Sequence, residues 1–210
     1  LALHNAVHDF DYSDIKDPGY ESARRMTHRE YSNTVRDLFG LKMDVVDRFP
    51  DDLTGTSGFE NSGNSLFIQP LLMERYIGIA EFVVNSAFPD DVQQNAAAYK
   101  LVFQPGGDDA KKLLERFLLR AYRRPPTADE VDHAVRRVRV AREAGADFVS
   151  AVKAELQTVL ISPKFLLLTE KDQNVSGEFR VNDWELASRL SYYLWASMPD
   201  ETLFDLARQG

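Results

Sequence analysis

Helix-start signals punctuate this chain, and they restrict the folds open to it more than any other feature. Thr27 with Glu30, Thr127 with Glu130 and Asn182 with Glu185 are three capping boxes. In each, the first side chain accepts from a backbone N–H three residues on, and the glutamate returns the bond. Amphipathic runs follow. Tyr31, Val35, Leu38 and Phe39 share one face, and Gly40 stands where a left-handed stop is wanted. Pro70 suits the first position of a helix over 71–87, which Pro89 closes. Asp108 or Asp109 caps a helix through Tyr122 that turns Leu113, Leu114, Phe117, Leu118 and Ala121 inward, and Pro125 and Pro126 break it.

The box at Thr127 opens a helix over 128–144 that buries Val131, Ala134, Val135 and Val138, and Gly145 ends it. Asp147 starts another over 148–161. Pro163 interrupts ahead of an apolar 165–168, and the box at Asn182 opens a helix to about 197. Asp200 caps the last, to 208. Only 99–103 reads as a short strand or extended chain, ended by Pro105-Gly106-Gly107. The expected fold is mainly α: two packed helical units joined by long loops, with the start of a third helical segment at the C-terminus.

The expected organisation is an extended lead-in over 1–22, then a first helical unit over 23–105 with a long Gly/Asn loop at 49–69. A second unit covers 106–172, and 178–210 begins a third helical domain that continues beyond the chain. With no initiating Met and no basic, apolar leader, the sequence reads as a piece of a longer polypeptide.

Charge and composition exclude several classes. Lys and Arg number 25 against 33 Asp and Glu, a net charge of −8, which disfavours nucleic acid as a partner because counterion release needs a concentrated basic face. No apolar run approaches the roughly 20 residues of a membrane span. The chain has no cysteine, hence no disulfide and no Cys-x-x-Cys-His segment for covalent haem. One basic cluster stands out: Arg116, Arg120, Arg123 and Arg124, with Lys111 and Lys112 upstream. It reads as cations suited to a helix C-terminus and its acidic neighbours, or as an anion or partner contact.

Two regions carry candidate chemistry. In the long loop Asp51, Asp52, Glu60, Asn61 and Asn64 offer hard oxygen donors for Ca²⁺, although their spacing is not that of an EF-hand. The same residues also suit turns in which Gly58 and Gly63 relax the backbone and asparagines bond to it. Near the C-terminus, Trp184, Tyr192, Tyr193 and Trp195 gather around Arg189. Helical spacing makes Leu186, Leu190, Tyr193 and Leu194 the core stripe, continued by Ser197, with Tyr192 and Trp195 on a neighbouring face. That face is either packing or an aromatic wall near a redox centre built from Trp195, Tyr192 and Arg189.

The histidines offer little. His4 and His8 read as a surface pair, His28 as a structural residue in a first helical turn, and His133 as solvated. No Ser/His/Asp ordering, phosphate loop or HExxH motif is present.

Four stretches together resemble a known family. They are 27–40 (Thr-His-Arg-Glu-Tyr-Ser-Asn-Thr-Val-Arg-Asp-Leu-Phe-Gly), 58–64 (Gly-Phe-Glu-Asn-Ser-Gly-Asn) leading to 70–76, 120–125 (Arg-Ala-Tyr-Arg-Arg-Pro) with 156–163, and 187–200 beginning Ala-Ser-Arg-Leu-Ser-Tyr-Tyr. In this order they resemble the domains of unknown function that flank cytochrome c modules in large secreted, planctomycete-type proteins. One departure is visible: relatives commonly read Ser-Pro-His-Phe-Leu, where this chain has Ser162-Pro163-Lys164-Phe165-Leu166. A role for that histidine therefore does not transfer.

The resemblance implies a helical accessory or scaffold part of a larger extracytoplasmic, c-type-cytochrome-associated protein, periplasmic or extracellular. It would contribute to an electron-transfer assembly, as a non-catalytic part of a haem-dependent oxidoreductase. Haem c would belong to the wider assembly, with none attached to this chain, and the partner would be the remainder of its own polypeptide or a cytochrome c chain. The alternatives are a non-redox structural or polysaccharide-binding module, or a fragment of a carbohydrate-active enzyme using a loop carboxylate such as Glu60.

Overall fold

The computed structural model describes residues 24–50, 70–90, 92–104, 106–169 and 181–210. Nine α-helices lie among them: α1 His28–Phe39, α2 Pro70–Ala87, α3 Ala96–Val102, α4 Ala110–Tyr122, α5 Ala128–Glu143, α6 Phe148–Leu160, α7 Pro163–Leu166, α8 Asp183–Trp195 and α9 Glu201–Gln209. Two-residue strands β1 (Arg24–Arg25) and β2 (Leu167–Leu168) pair antiparallel, with Arg24 opposite Leu168. The expected mainly α class holds. All three capping boxes form as read, at Thr27, Thr127 and Asn182. Gly40 ends α1 in the left-handed conformation at φ +66°, Pro70 opens α2, and Asp109, Asp147 and Asp200 cap α4, α6 and α9.

One expectation fails locally. Residues 99–103 are helical, forming most of α3 and its C-cap. Tyr99 and Phe103 lie one turn apart, stacked with centroids 5.4 Å apart, and both meet Phe88 edge-on. Among the described residues no strand lies beside this short apolar run, and an amphipathic turn against Phe88 satisfies its backbone locally and packs the same side chains.

α1 lies at the centre of the core. Its Tyr31 is fully buried, with Phe49, Tyr76 and Phe165 at centroid distances of 5.4, 5.1 and 5.6 Å. Burial drives the Tyr31 hydroxyl pKa far upward, with the neighbouring Tyr76 adding to it, so this phenol stays neutral. His28 stacks on Phe49 at 4.2 Å with nearly parallel rings, as befits a structural residue. About two turns past Tyr31, Phe39 meets Phe88 and Phe117, joining α1 to α4 and the α2 C-terminus. Helices α4, α5 and α6 pack successively, α2 lies against α6, and α8 and α9 form a hairpin. Gly106 permits the entry to α4, since a Cβ there would stand 2.8 Å from the Leu113 nitrogen.

Candidate functional site

Two members of the basic cluster, Arg120 and Arg123, turn out to be architectural. Arg120 is buried and donates to the carbonyls of Leu38 and Asp37 at 2.9 and 3.0 Å, covering acceptors that α1 leaves open at its C-terminus. Arg123 is 5% exposed and sits in the left-handed region at φ 58°. Its guanidinium donates to the carbonyls of Ala121, Lys164, Phe165 and Leu167 at 2.9–3.1 Å. It thereby stitches the end of α4 to α7 and β2. Part of the expected role at the end of their own helix holds, since Arg123 reaches the Ala121 carbonyl and Arg120 lies 3.9 Å from Glu201. The unexpected part is that both also serve carbonyls distant in sequence. Periodicity gave no sign of this, because the acceptors are backbone atoms.

A second arrangement recurs twice. Arg24 and Arg124 each stand three residues before a capping threonine and pair with the box glutamate. Arg24 reaches the two Glu30 oxygens at 2.7 and 2.8 Å, and Arg124 reaches those of Glu130 at 3.0 and 2.8 Å. In both boxes the threonine N–H donates to the same carboxylate at 2.8 Å. Lys164 adds a further bond to Glu130 at 2.7 Å. The spacing Arg-x-x-Thr-x-x-Glu was present in the sequence and is a signal that a reading of caps alone overlooks.

The Glu130 carboxyl is held down at about 2, first by Arg124 and then, against a burial cost, by Lys164 and the Thr127 N–H. A depressed acid stabilises the fold above its unfolded value and loses that contribution as pH falls toward the folded one. We therefore expect Glu130→Gln to lower the thermal midpoint at pH 7, with the gap to wild type closing between about pH 4.5 and 2. Melting curves across that range check it, and a gap that stays constant down to pH 2 would refute the ion-pair origin.

Among the described residues, these two clamps and α8 enclose a cleft of about 1270 Å³, larger than a second one over α4 and α9. Tyr122, Arg123, Arg124 and Lys164 form one wall, and Trp184, Leu186, Ser188, Arg189, Leu190 and Tyr193 of α8 the other. Here the expected core stripe is reversed. Leu186 and Leu190 are each 40% exposed, Leu194 64% and Tyr193 88%, whereas Ala187, Ser191 and Tyr192 are buried. The smaller cleft, about 650 Å³, lies over α4 and α9 and includes Lys111, Arg116 and Glu201.

Polar bonds explain the orientation of α8. Tyr192 Oη lies 3.0 Å from Thr34 Oγ1 and 3.3 Å from Met26 Sδ, and the ring lies under the Arg123 guanidinium at 5.7 Å. Burial raises the Tyr192 pKa. Beyond the helix, Ser197 Oγ donates to Asp37 at 2.6 Å and Asn33 donates to the Ala196 carbonyl at 3.2 Å. Buried hydroxyls that need partners thus face α1, and the leucines are left outward.

Of the proposed aromatic wall, Tyr192 and Arg189 both border the larger cleft, Arg189 from the exposed side and Tyr192 from within the core. Trp195 is half-exposed and donates to the Met198 carbonyl at 3.2 Å. It does not border the cleft, so the three do not converge. Trp184 leans on Phe204 at 6.1 Å. The candidate calcium ligands Asp51, Asp52, Glu60, Asn61 and Asn64 lie outside the described residues, and among the described residues no group of three or more His, Asp or Glu side chains could hold a metal ion. His133 is exposed, as expected.

Comparison with known families places three matches along this architecture. Residues 24–89 match PSD3, a protein of unknown function (DUF1587). Residues 109–170 match PSD5, a protein of unknown function (DUF1595), and residues 181–210 match PSD4, a protein of unknown function (DUF1592). The chain thus carries stretches of three such domains, and the DUF1592 match covers α8 and α9. No curated protein and no solved structure matches the chain. No described helix is long and apolar enough to cross a membrane.

Proposed function

We propose that this chain is the helical accessory part of a larger extracytoplasmic, c-type-cytochrome-associated protein, in which it positions other modules of an electron-transfer assembly. The observation that carries the reading is the outward stripe of Leu186, Leu190, Tyr193 and Leu194 on α8. Four large apolar side chains on one exposed helical face mark a surface suited to meeting another module. The three family matches supply the context, since domains of this type accompany cytochrome c in the resemblance described above.

Haem would be carried elsewhere, because a chain without cysteine cannot attach it covalently. The partner is the remainder of the same polypeptide or a cytochrome c chain, and the compartment is the periplasm or the cell exterior. The carbohydrate-binding alternative draws less support. In the larger cleft the carboxylates of Glu30 and Glu185 are occupied by their capping boxes, and Trp184 packs on Phe204.

The test is a visible spectrum of the intact native protein, oxidised and then reduced with dithionite. Sharp reduced α and Soret bands, with haem retained on a denaturing gel, are expected. A featureless spectrum of the purified full-length protein would overturn the redox association.

A further inference from the structure

We infer that the cleft bordered by α4 and α9 binds a small polyanion, a molecule carrying two or three phosphate or carboxylate groups. The first observation is a row of like charges. Lys112, Arg116 and Arg120 recur every four residues along about 12 Å of α4, and all three line the cleft. Cations four apart on one helix face repel each other, and Lys111 and Lys112 in the first turn also oppose the positive end of the helix dipole. Stability alone disfavours such a row. An anion bound across it turns each repulsion into an attraction.

The row is also only partly neutralised. Asp109 answers Lys112 at 3.6 Å, and on α9 Asp205 answers Arg208. Among the described residues, Lys111 and Arg116 make no ion pair. Glu115 lines the cleft as well, exposed and in no ion pair of its own among the described residues.

Arg120 supplies a spare donor. Its side chain is 10% exposed, and its two terminal nitrogens serve the Leu38 and Asp37 carbonyls. Among the described residues its Nε–H makes no hydrogen bond. Glu201, which lines the same cleft, places Oε1 3.9 Å from that nitrogen, beyond hydrogen-bond reach. Burial lowers the Arg120 pKa, Glu201 counters this, and Arg116 lowers it further, so the field of one guanidinium reaches the other. Two neighbouring guanidiniums, one of them buried with an open donor, form a receptor for oxyanions.

Size and field select a small occupant. The space, about 650 Å³, falls within the roughly 300–1,000 Å³ of small-molecule sites. A nucleic acid or an acidic protein would meet the field of a chain whose net charge is −8. A compact anion inside the cleft meets mainly the charges within a screening length of about 10 Å.

The test is independent of haem and of the α8 face. Isothermal titrations of the full chain at low ionic strength, with tripolyphosphate and with citrate, should show one saturable site for at least one of them. Its affinity should exceed that for orthophosphate or acetate roughly tenfold, as further groups engage further cations. The tighter of the two names phosphate or carboxylate as the source. Arg116→Gln should weaken binding roughly tenfold. Arg136→Gln, the same change of charge at an exposed position of α5 outside the cleft, should alter it less than about twofold. Glu201→Gln should strengthen binding, because its carboxylate competes for Arg120. In ¹⁵N–¹H spectra the Arg120 Nε–H resonance should shift as the anion is added.

No saturable binding of either anion would overturn the inference. So would equal weakening by Arg116→Gln and Arg136→Gln, the mark of a response to net charge alone. Binding that leaves the Arg120 Nε–H resonance unmoved would place the anion elsewhere and overturn it too. Should Arg116→Gln unfold, Lys111→Gln, at another exposed position lining the cleft, carries the same comparison.

Discussion

Replacing Arg123 with methionine will cost about 3–5 kcal/mol of stability, a large effect for one side chain outside the apolar core. The guanidinium serves four carbonyls on three segments, and methionine fills similar space without a single donor. Each abandoned buried acceptor costs about 1–3 kcal/mol, offset in part where water can reach it. Methionine is chosen over glycine because glycine would also relieve the backbone at φ 58° and mask part of the loss. Lysine should recover only a fraction, since one ammonium cannot match a planar fork that spans several acceptors. The comparison is Arg124→Met, whose half-exposed guanidinium faces Glu130 and should cost about 1 kcal/mol. Urea unfolding at constant m-value measures both. Equal midpoints for the two variants would show that the carbonyl clamp contributes little.

The second large effect is expected at the α5–α6 contact. Arg137 donates through Nε and Nη2 to Glu155 at 2.6 Å each, and the two partners differ sharply in exposure. The Glu155 side chain is 1% exposed and that of Arg137 50%. Truncating the exposed partner therefore strands a buried carboxylate, and Arg137→Ala should lose about 3–5 kcal/mol at pH 8. Burial already pushes the Glu155 carboxyl above its ordinary range, with Arg137 pulling against it. An acid raised in the folded state favours folding at low pH, and that advantage disappears as pH rises through the folded value. Removing Arg137 moves the folded value further upward, so the penalty should shrink as pH falls from 8 toward 5. Adding Glu155→Leu should restore most of the stability at pH 8. A small, pH-independent loss in Arg137→Ala would mean that water reaches the carboxylate.

Both residues show why burial and local pattern can part company. On α5, Arg137 occupies an exposed face consistent with its charge, and nothing nearby in sequence announces Glu155, 18 residues on. On α6, Glu155 stands among Ala151, Val152, Leu156 and Val159 as the one carboxylate on a buried face. A period of 3.6 identifies that face but not the guanidinium that makes a charge there tolerable.

The α8 stripe teaches the same lesson in the opposite direction. Leu186, Leu190, Tyr193 and Leu194 make the most apolar face of their helix, and an apolar face is ordinarily the inward one. In the folded chain Tyr192 and Ser191 are inward, because Thr34 of α1 and Met26 just before it meet the phenol. The side that buries is the side with a complementary neighbour, and hydrophobicity alone names no neighbour. That mismatch is also what makes α8 informative about function, since it leaves a shaped apolar surface beside a fixed cation.

What the sequence by itself determined is most of the helices and their ends, the short α3 and α7 excepted. Thr27, Thr127, Asn182, Gly40, Pro70 and Asp200 act within one turn of themselves, through backbone groups that must be bonded wherever the helix finally lies. What only the tertiary structure decided is which faces meet, where Arg120 and Arg123 find their carbonyls, and that α8 turns its leucines outward. Those outcomes depend on partners up to about 160 residues away, as between Ser197 and Asp37, and bonds across such separations leave no period in the chain.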